Sequence, residues 1–170
     1  MTPGPRLSDR LAQVVDALPL RPGMRVLEIG GAPGAAARAV ARRLGDGHIL
    51  VIDRSAAGVD LIERHAAAEI ASGRLSVRHV AAEDFRRLPG EPPFDLAFAI
   101  RVGALDGRHP EAGVRARQRI AAALTPIAKL FVDGGDSLSP VDLPDIRGSG
   151  TPTRPAAPDR TRRGPPGTTG

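Results

Sequence analysis

Three short stretches carry side chains whose type and spacing suit ligand chemistry. In Glu28-Ile29-Gly30-Gly31-Ala32-Pro33-Gly34 a carboxylate adjoins a run of small residues. Such a run lets a ligand approach the backbone closely, and its glycines permit the turn this requires. Asp53 follows the apolar run HILVI, 25 residues after Glu28. A carboxylate there can accept from both hydroxyls of a ribose. It also suits a cap for a following helix, a role that Ser55 can fill equally well. Glu83-Asp84-Phe85 follows the apolar run LSVRHV. Either acid can accept from an adenine amino group, and the same three residues also suit a solvated acidic turn.

The first stretch is not built for a pyrophosphate. Gly30, Ala32 and Gly34 are spaced by two, unlike the Gly-x-Gly-x-x-Gly of a dinucleotide site. Pro33 removes an N–H that a phosphate cradle would use. An ionised Glu28 would repel phosphate and favour a positive ligand, an ammonium or a sulfonium. By charge, S-adenosylmethionine suits the loop better than NAD, and a nicotinamide-dependent oxidoreductase is disfavoured.

These stretches need elements to position them. Leu7, Leu11, Val14, Val15 and Leu18 recur at helical spacing. RVLEI (25–29) reads as a buried strand, and 34–44 as an Ala-rich helix stopped by Gly45-Asp46-Gly47. HILVI (48–52) is a second strand, 56–71 a helix, and LSVRHV (75–80) a third strand. FDLAFAI (94–100) is a fourth strand. A helix over 110–124, with Val114, Ile120 and Leu124 facing inward, leads to a fifth, KLFVD (129–133). Helices alternating with continuous apolar strands predict an α/β fold. It is a doubly wound, mostly parallel sheet in a Rossmann-like three-layer sandwich of about five strands. Ligands of such sheets sit at the carboxyl ends of the strands, where the strand order reverses. All three acidic stretches lie just past such ends.

On these residues the chain resembles the S-adenosylmethionine-dependent methyltransferases with the Rossmann-like (class I) fold. VLEIGGAPG resembles their first motif, Glu/Asp-x-Gly-x-Gly-x-Gly, and Asp53 and Glu83-Asp84 match the acids after their second and third strands. FDLAFAI and LTPIAKLFVDGG resemble the fourth and fifth strands, so the likeness runs from about 20 to 135. The resemblance implies S-adenosylmethionine as cofactor and methyl transfer as the reaction. It implies that Gly30, Gly31, Ala32 and Gly34 line the methionine half and that Glu28 steers its amino group. Asp53 would hold the ribose and Asp84, or Glu83, the adenine edge, with Arg54 and Phe85 flanking the base. Ile100 and Arg101 would border the methyl group's exit. Ala32 stands where the family usually has Gly, which puts a methyl group where backbone and cofactor meet. The family's last two strands are missing, which leaves the fifth strand as an open edge that a homodimer could cover. A cofactor-binding module without catalysis, acting as a structural or regulatory partner, is the alternative these departures suggest.

Methyl transfer from a sulfonium is an in-line displacement, so positioning can supply much of the acceleration. A base is needed only where the acceptor must lose a proton. Asp106 and His109, past the fourth strand, are the candidates, although both also suit an ordinary turn. No His pair has metal-ligand spacing with supporting acids, so no metal is expected.

The 170 residues carry 24 basic and 19 acidic side chains, a net +5, with no Cys, Trp or Tyr. Disulfides, thiolate metal sites and cysteine nucleophiles are thereby excluded. Lys129 is the one lysine, and the arginines are scattered rather than striped. With no Tyr or Trp to stack on bases, and no Asn-Pro-Pro-Tyr-like segment, a nucleic-acid partner is disfavoured and a small-molecule or protein acceptor is expected. No membrane span or secretory leader is apparent, so a cytoplasmic location is expected. Residues 1–135 are read as the folded domain. Residues 136–170, rich in Pro, Gly and Arg, are read as a disordered tail.

Overall fold

The computed structural model describes residues 6–135 and 137–145. Six strands form one sheet in the order β3-β2-β1-β4-β5-β6. They are β1 (Arg25–Ile29), β2 (His48–Asp53), β3 (Leu75–His79), β4 (Phe94–Ile100), β5 (Leu124–Asp133) and β6 (Leu138–Val141). The first five are mutually parallel, and β6 runs antiparallel to β5. The order reverses between β1 and β4, which places a crevice at their carboxyl ends.

Alternation along the strands builds two cores. Val26, Ile49, Val51, Leu96 and Phe98 face helices α1 (Asp9–Ala17), α2 (Ala35–Arg43) and α3 (Ala56–His65). Leu27, Ile29, Leu50, Ile52, Ala97 and Leu130 face α5 (Pro110–Ala123) and the segment around Phe85 and Phe94. Helix α2 buries six residues, five of them Ala, and these short side chains let it lie close on the sheet. Ser8 caps α1 by accepting from the Leu11 N–H.

Several expectations are corrected. The helix expected over 56–71 breaks at Ala66 into α3 and a short α4 (Ala67–Ala71). Val114 is half exposed, because α5 turns Gly113, Ala116, Ile120 and Ala123 inward instead. A Cβ on Gly113 would lie 2.5 Å from the Ala104 carbonyl, so the helix packs where only a small face fits. Leu124 opens β5 rather than closing α5. A register shift between Phe94 and Leu96 follows, and beside it Ile127 is left 88% exposed. The largest difference is β6, which lies inside the segment read as tail. It covers the β5 edge, so the expectation of an open edge, and with it the reason for a covering dimer, falls away. Pro140, without an N–H, then marks the new sheet edge. Residues 146–170 lie outside the described residues. None of the described helices is long and apolar enough to cross a membrane.

Candidate cofactor cleft and acceptor groove

The carboxyl ends of β1, β2 and β4 border a cavity of about 310 Å³. Gly30 leaves β1 with φ +71°, and its N–H bonds the Ile52 carbonyl at 2.8 Å. A Cβ there would approach Val102 Cγ2 to 2.8 Å, so a glycine keeps this wall open. At the end of β2, the buried Asp53 carboxylate accepts from the Ala32 N–H (3.3 Å) and the Ser55 N–H (2.9 Å). Its main-chain carbonyl continues the sheet by accepting from the Val80 N–H at 3.0 Å. Ser55, not Asp53, caps α3 by accepting from the Gly58 N–H at 3.2 Å, while the Asp53 carboxylate braces the turn before it and lines the cavity.

Glu28 lies behind the loop rather than in the cavity wall. It is 2% exposed, and its Oε2 has no hydrogen-bond partner. Burial, and then the nearby Asp53 charge, pushes its pKa up to about 8. The expected ionised carboxylate is therefore mainly protonated at neutral pH when no cation is bound. The cavity rim is also mixed rather than negative: Asp53 and Glu83 are joined there by Arg54, Arg101 and Arg108.

The structure brings Gly30, Asp53, Arg54, Glu83, Arg101 and His109 to one cavity. Gly31 is buried beneath it, where a Cβ would fall 2.9 Å from the Glu28 carboxyl carbon. It is a packing glycine, not a lining one. Gly34 caps α2 with φ +96° and packs on Ile62. The methyl group of Ala32 does not enter the cavity. It lies over the first turn of α3, 3.2 Å from where a Cβ on Gly58 would stand. Gly58 therefore makes room for both Ala32 and the Asp53 carboxylate, a coupling that sequence reasoning missed.

Besides Glu28, Gly31, Ala32 and Gly34, three more assignments fall outside the cavity. Phe85 is fully buried in the second core, 6.3 Å centroid to centroid from Phe94, because its ring is the large apolar group closing that face. Asp84 is exposed and pairs with Arg115 of α5 at 3.1 Å, which leaves Glu83 as the acid at the cavity. Ile100 packs against the first core. Asp106 is committed to Arg108 at 2.7 Å, which holds its carboxyl below the usual range. His48, His65 and His79 bond backbone carbonyls of Gly73, Pro33 and Arg54, whereas His109 lines the cavity. Val102, Gly103 and Ala104, also missed, complete the wall below Arg101. Their only signal was their place just after the fourth strand. Among the described residues no three His, Cys, Asp or Glu side chains converge as metal ligands.

A family model described as a methyltransferase domain matches residues 26–127. The chain belongs to this methyltransferase family. It is similar to the protein-L-isoaspartate O-methyltransferase of Methylorubrum populi, with 39% identity over 102 residues. That match covers 60% of this chain and 44% of the relative, so the chain spans less than half of the relative's length. Among solved structures it is similar to a methyltransferase from Geobacter sulfurreducens in complex with S-adenosyl-L-homocysteine. The TM-score is 0.59 at 21% identity, over 77% of this chain and 49% of that one. The [4+2]-cyclase SpnF shares the fold at TM-score 0.60 and 26% identity, over 72% of this chain and 43% of its own. Family membership points to S-adenosylmethionine as the cofactor.

The cleft fits that group. Cationic ligands suit an orphaned buried carboxyl behind a glycine loop. A ribose suits Asp53, whose oxygens each retain acceptor capacity after one backbone N–H.

Proposed function

We propose that the chain transfers a methyl group from S-adenosylmethionine to a small-molecule or protein acceptor that enters over the ends of β4 and β5. When bound, the cofactor supplies a methyl group on a sulfonium that leaves readily as a thioether. The chain's own residues bind and orient. Asp53 would accept from the ribose hydroxyls. Glu83, rather than Asp84, would accept from the adenine amino group, with Ile52, Val80 and Arg54 around the base. Glu28 would sit beneath the amino-acid end and take up charge there. His109 would receive a proton where the acceptor must lose one.

The observation that carries this reading is the cavity at the strand-order reversal, lined by Asp53 and backed by the unpartnered Glu28 carboxyl. SpnF shows that the fold also serves a protein named for another reaction, so the test must read both binding and transfer. Calorimetry should show S-adenosylhomocysteine binding, and labelled donor should mark an acceptor in a cell extract. No binding at millimolar ligand rejects the cofactor assignment. Binding without any labelled acceptor rejects the transfer step.

A further inference from the structure

We propose that the acceptor is an acid, held through a carboxylate by the guanidinium of Arg101 in a groove beside the cofactor cleft. The inference rests on the methyl-transfer reading of that cleft and adds the chemical class of its acceptor.

Two arginines line both spaces: Arg108, which is paired with Asp106, and Arg101, which pairs with no carboxylate among the described residues. Arg101 lines the cofactor cavity, and it lines an open groove of about 870 Å³ whose floor includes Val132 and Val141 and whose rim includes Ser137 and Ser139. An acceptor lying in the groove meets this side chain as it reaches the cleft.

The backbone at Arg101 is held in an uncommon state. Its φ is +55°, the one described non-glycine residue at positive φ. Such a conformation is strained for a residue with a Cβ and persists only where the surroundings hold it. Here two bonds enforce it. The Arg101 N–H donates to the Asp133 carbonyl at 2.8 Å, and the Arg108 guanidinium donates to the Arg101 carbonyl at 3.3 Å.

Its charge is available because nearby carboxylates are already engaged. Asp106 is held by Arg108. The Asp133 side chain is fully buried and takes both oxygens to Arg10, with one also accepting from the Gly135 N–H. Arg101 contributes a through-space field at Asp133 but makes no side-chain hydrogen bond or ion pair among the described residues. The groove therefore presents one uncommitted guanidinium flanked by two serine hydroxyls. A planar fork of N–H donors matches a carboxylate in a two-point contact. A single fork beside a neutralised pair suits one negative charge better than the two of a phosphate.

The test separates this inference from the reading beneath it. S-adenosylhomocysteine is titrated first; failure to bind overturns the cleft and the acceptor together. The loaded protein is then titrated with benzoate and glutarate, with benzamide and glutaramide, and with phenyl phosphate. The acids should bind at least about tenfold more tightly than their amides. Arg101→Gln should lose about tenfold in benzoate affinity beyond any change in S-adenosylhomocysteine affinity, and Arg101→Lys should recover part of it. Amides binding as well as acids would overturn the proposal while leaving the cofactor site intact. So would an Arg101→Gln variant with undiminished benzoate binding, or a preference for phenyl phosphate. The comparison of acids with amides needs only the unaltered chain, so it decides the matter even where the variant folds poorly.

Discussion

The two halves of the sheet edge solve different problems. Around β1 and β2 every small residue answers a neighbour. Gly31 makes room for Glu28 and Val51, Gly58 for Asp53 and Ala32, and Gly30 for Val102. Around β4 and β5 the chain opens outward. Arg101 stands in left-handed backbone, a Cβ on Gly107 would meet only open space, and the groove is lined by exposed serines. A cofactor common to a family can be met by a close-fitting cradle. An acceptor that differs between members is met by a loop set on a rigid edge.

The packed half should show its character most strongly through Glu28. Unfolded, this residue releases its proton near 4.5; folded, near 8. Between these values the folded chain binds more protons, so stability falls as pH rises, by at most about 1.4 kcal/mol per unit. Glu28→Gln should flatten that slope in denaturant titrations at pH 5, 6.5 and 8. S-adenosylhomocysteine should bind more tightly toward pH 8, because its ammonium favours the ionised Glu28, whose proton is released to solvent on binding. The amide variant should lose that trend.

Gly31→Ala comes next, because it puts a methyl group into the Glu28 carboxyl and Val51 at once. Overpacking there should cost about 3 kcal/mol, read as a fall in the urea midpoint.

A smaller effect belongs to Arg10, whose guanidinium reaches from α1 to the Asp133 carboxylate and to the Gly135 carbonyl. Burial pushes Asp133 up, but the bonds from Arg10 and Gly135 outweigh it and hold the carboxyl below its usual range. Arg10 is itself partly exposed, so Arg10→Ala should cost about 2 kcal/mol, between the values for surface and buried pairs. A depressed carboxyl stabilises the fold above its unfolded pKa and loses that contribution as pH falls through the folded one. The deficit of the variant should therefore be greatest at neutral pH and shrink in acid. A deficit independent of pH would mean that Arg10 acts by packing alone.

In the open half, Gly107→Ala meets only backbone strain at φ +91° and should cost about 1 kcal/mol, again read from the urea midpoint. Equal losses for Gly31→Ala and Gly107→Ala would erase the distinction between a packed half and an open one.

Much of this was legible along the chain. Continuous apolar strands alternating with helices gave the layers, and β1 to β4 fell close to where RVLEI, HILVI, LSVRHV and FDLAFAI placed them. Asp53 was found because it ends a strand 25 residues after Glu28. Phe85 misled because an aromatic after an acid looks the same in sequence whether it stacks on a base or fills a core. Strand β6 was hidden because four residues, LSPV, carry too little periodicity to stand out beside the prolines that follow. Asp84 and Glu83 could not be told apart until α5 supplied Arg115 to one of them.

Local periodicity and residue type were enough to fix the layered sheet, the acid at each strand end and the small residues between. Which groups carry charge was settled largely when the chain folded back on itself. Glu28 keeps its proton because β1 is buried between neighbours far apart in the chain. Among the described residues Arg101 is left uncommitted because Arg10, brought in from a helix at the other end of the chain, engages Asp133, while Asp106 is taken locally by Arg108 two residues on. Solvation and pairing depend on what lies nearby in space, and spacing along the chain does not record that.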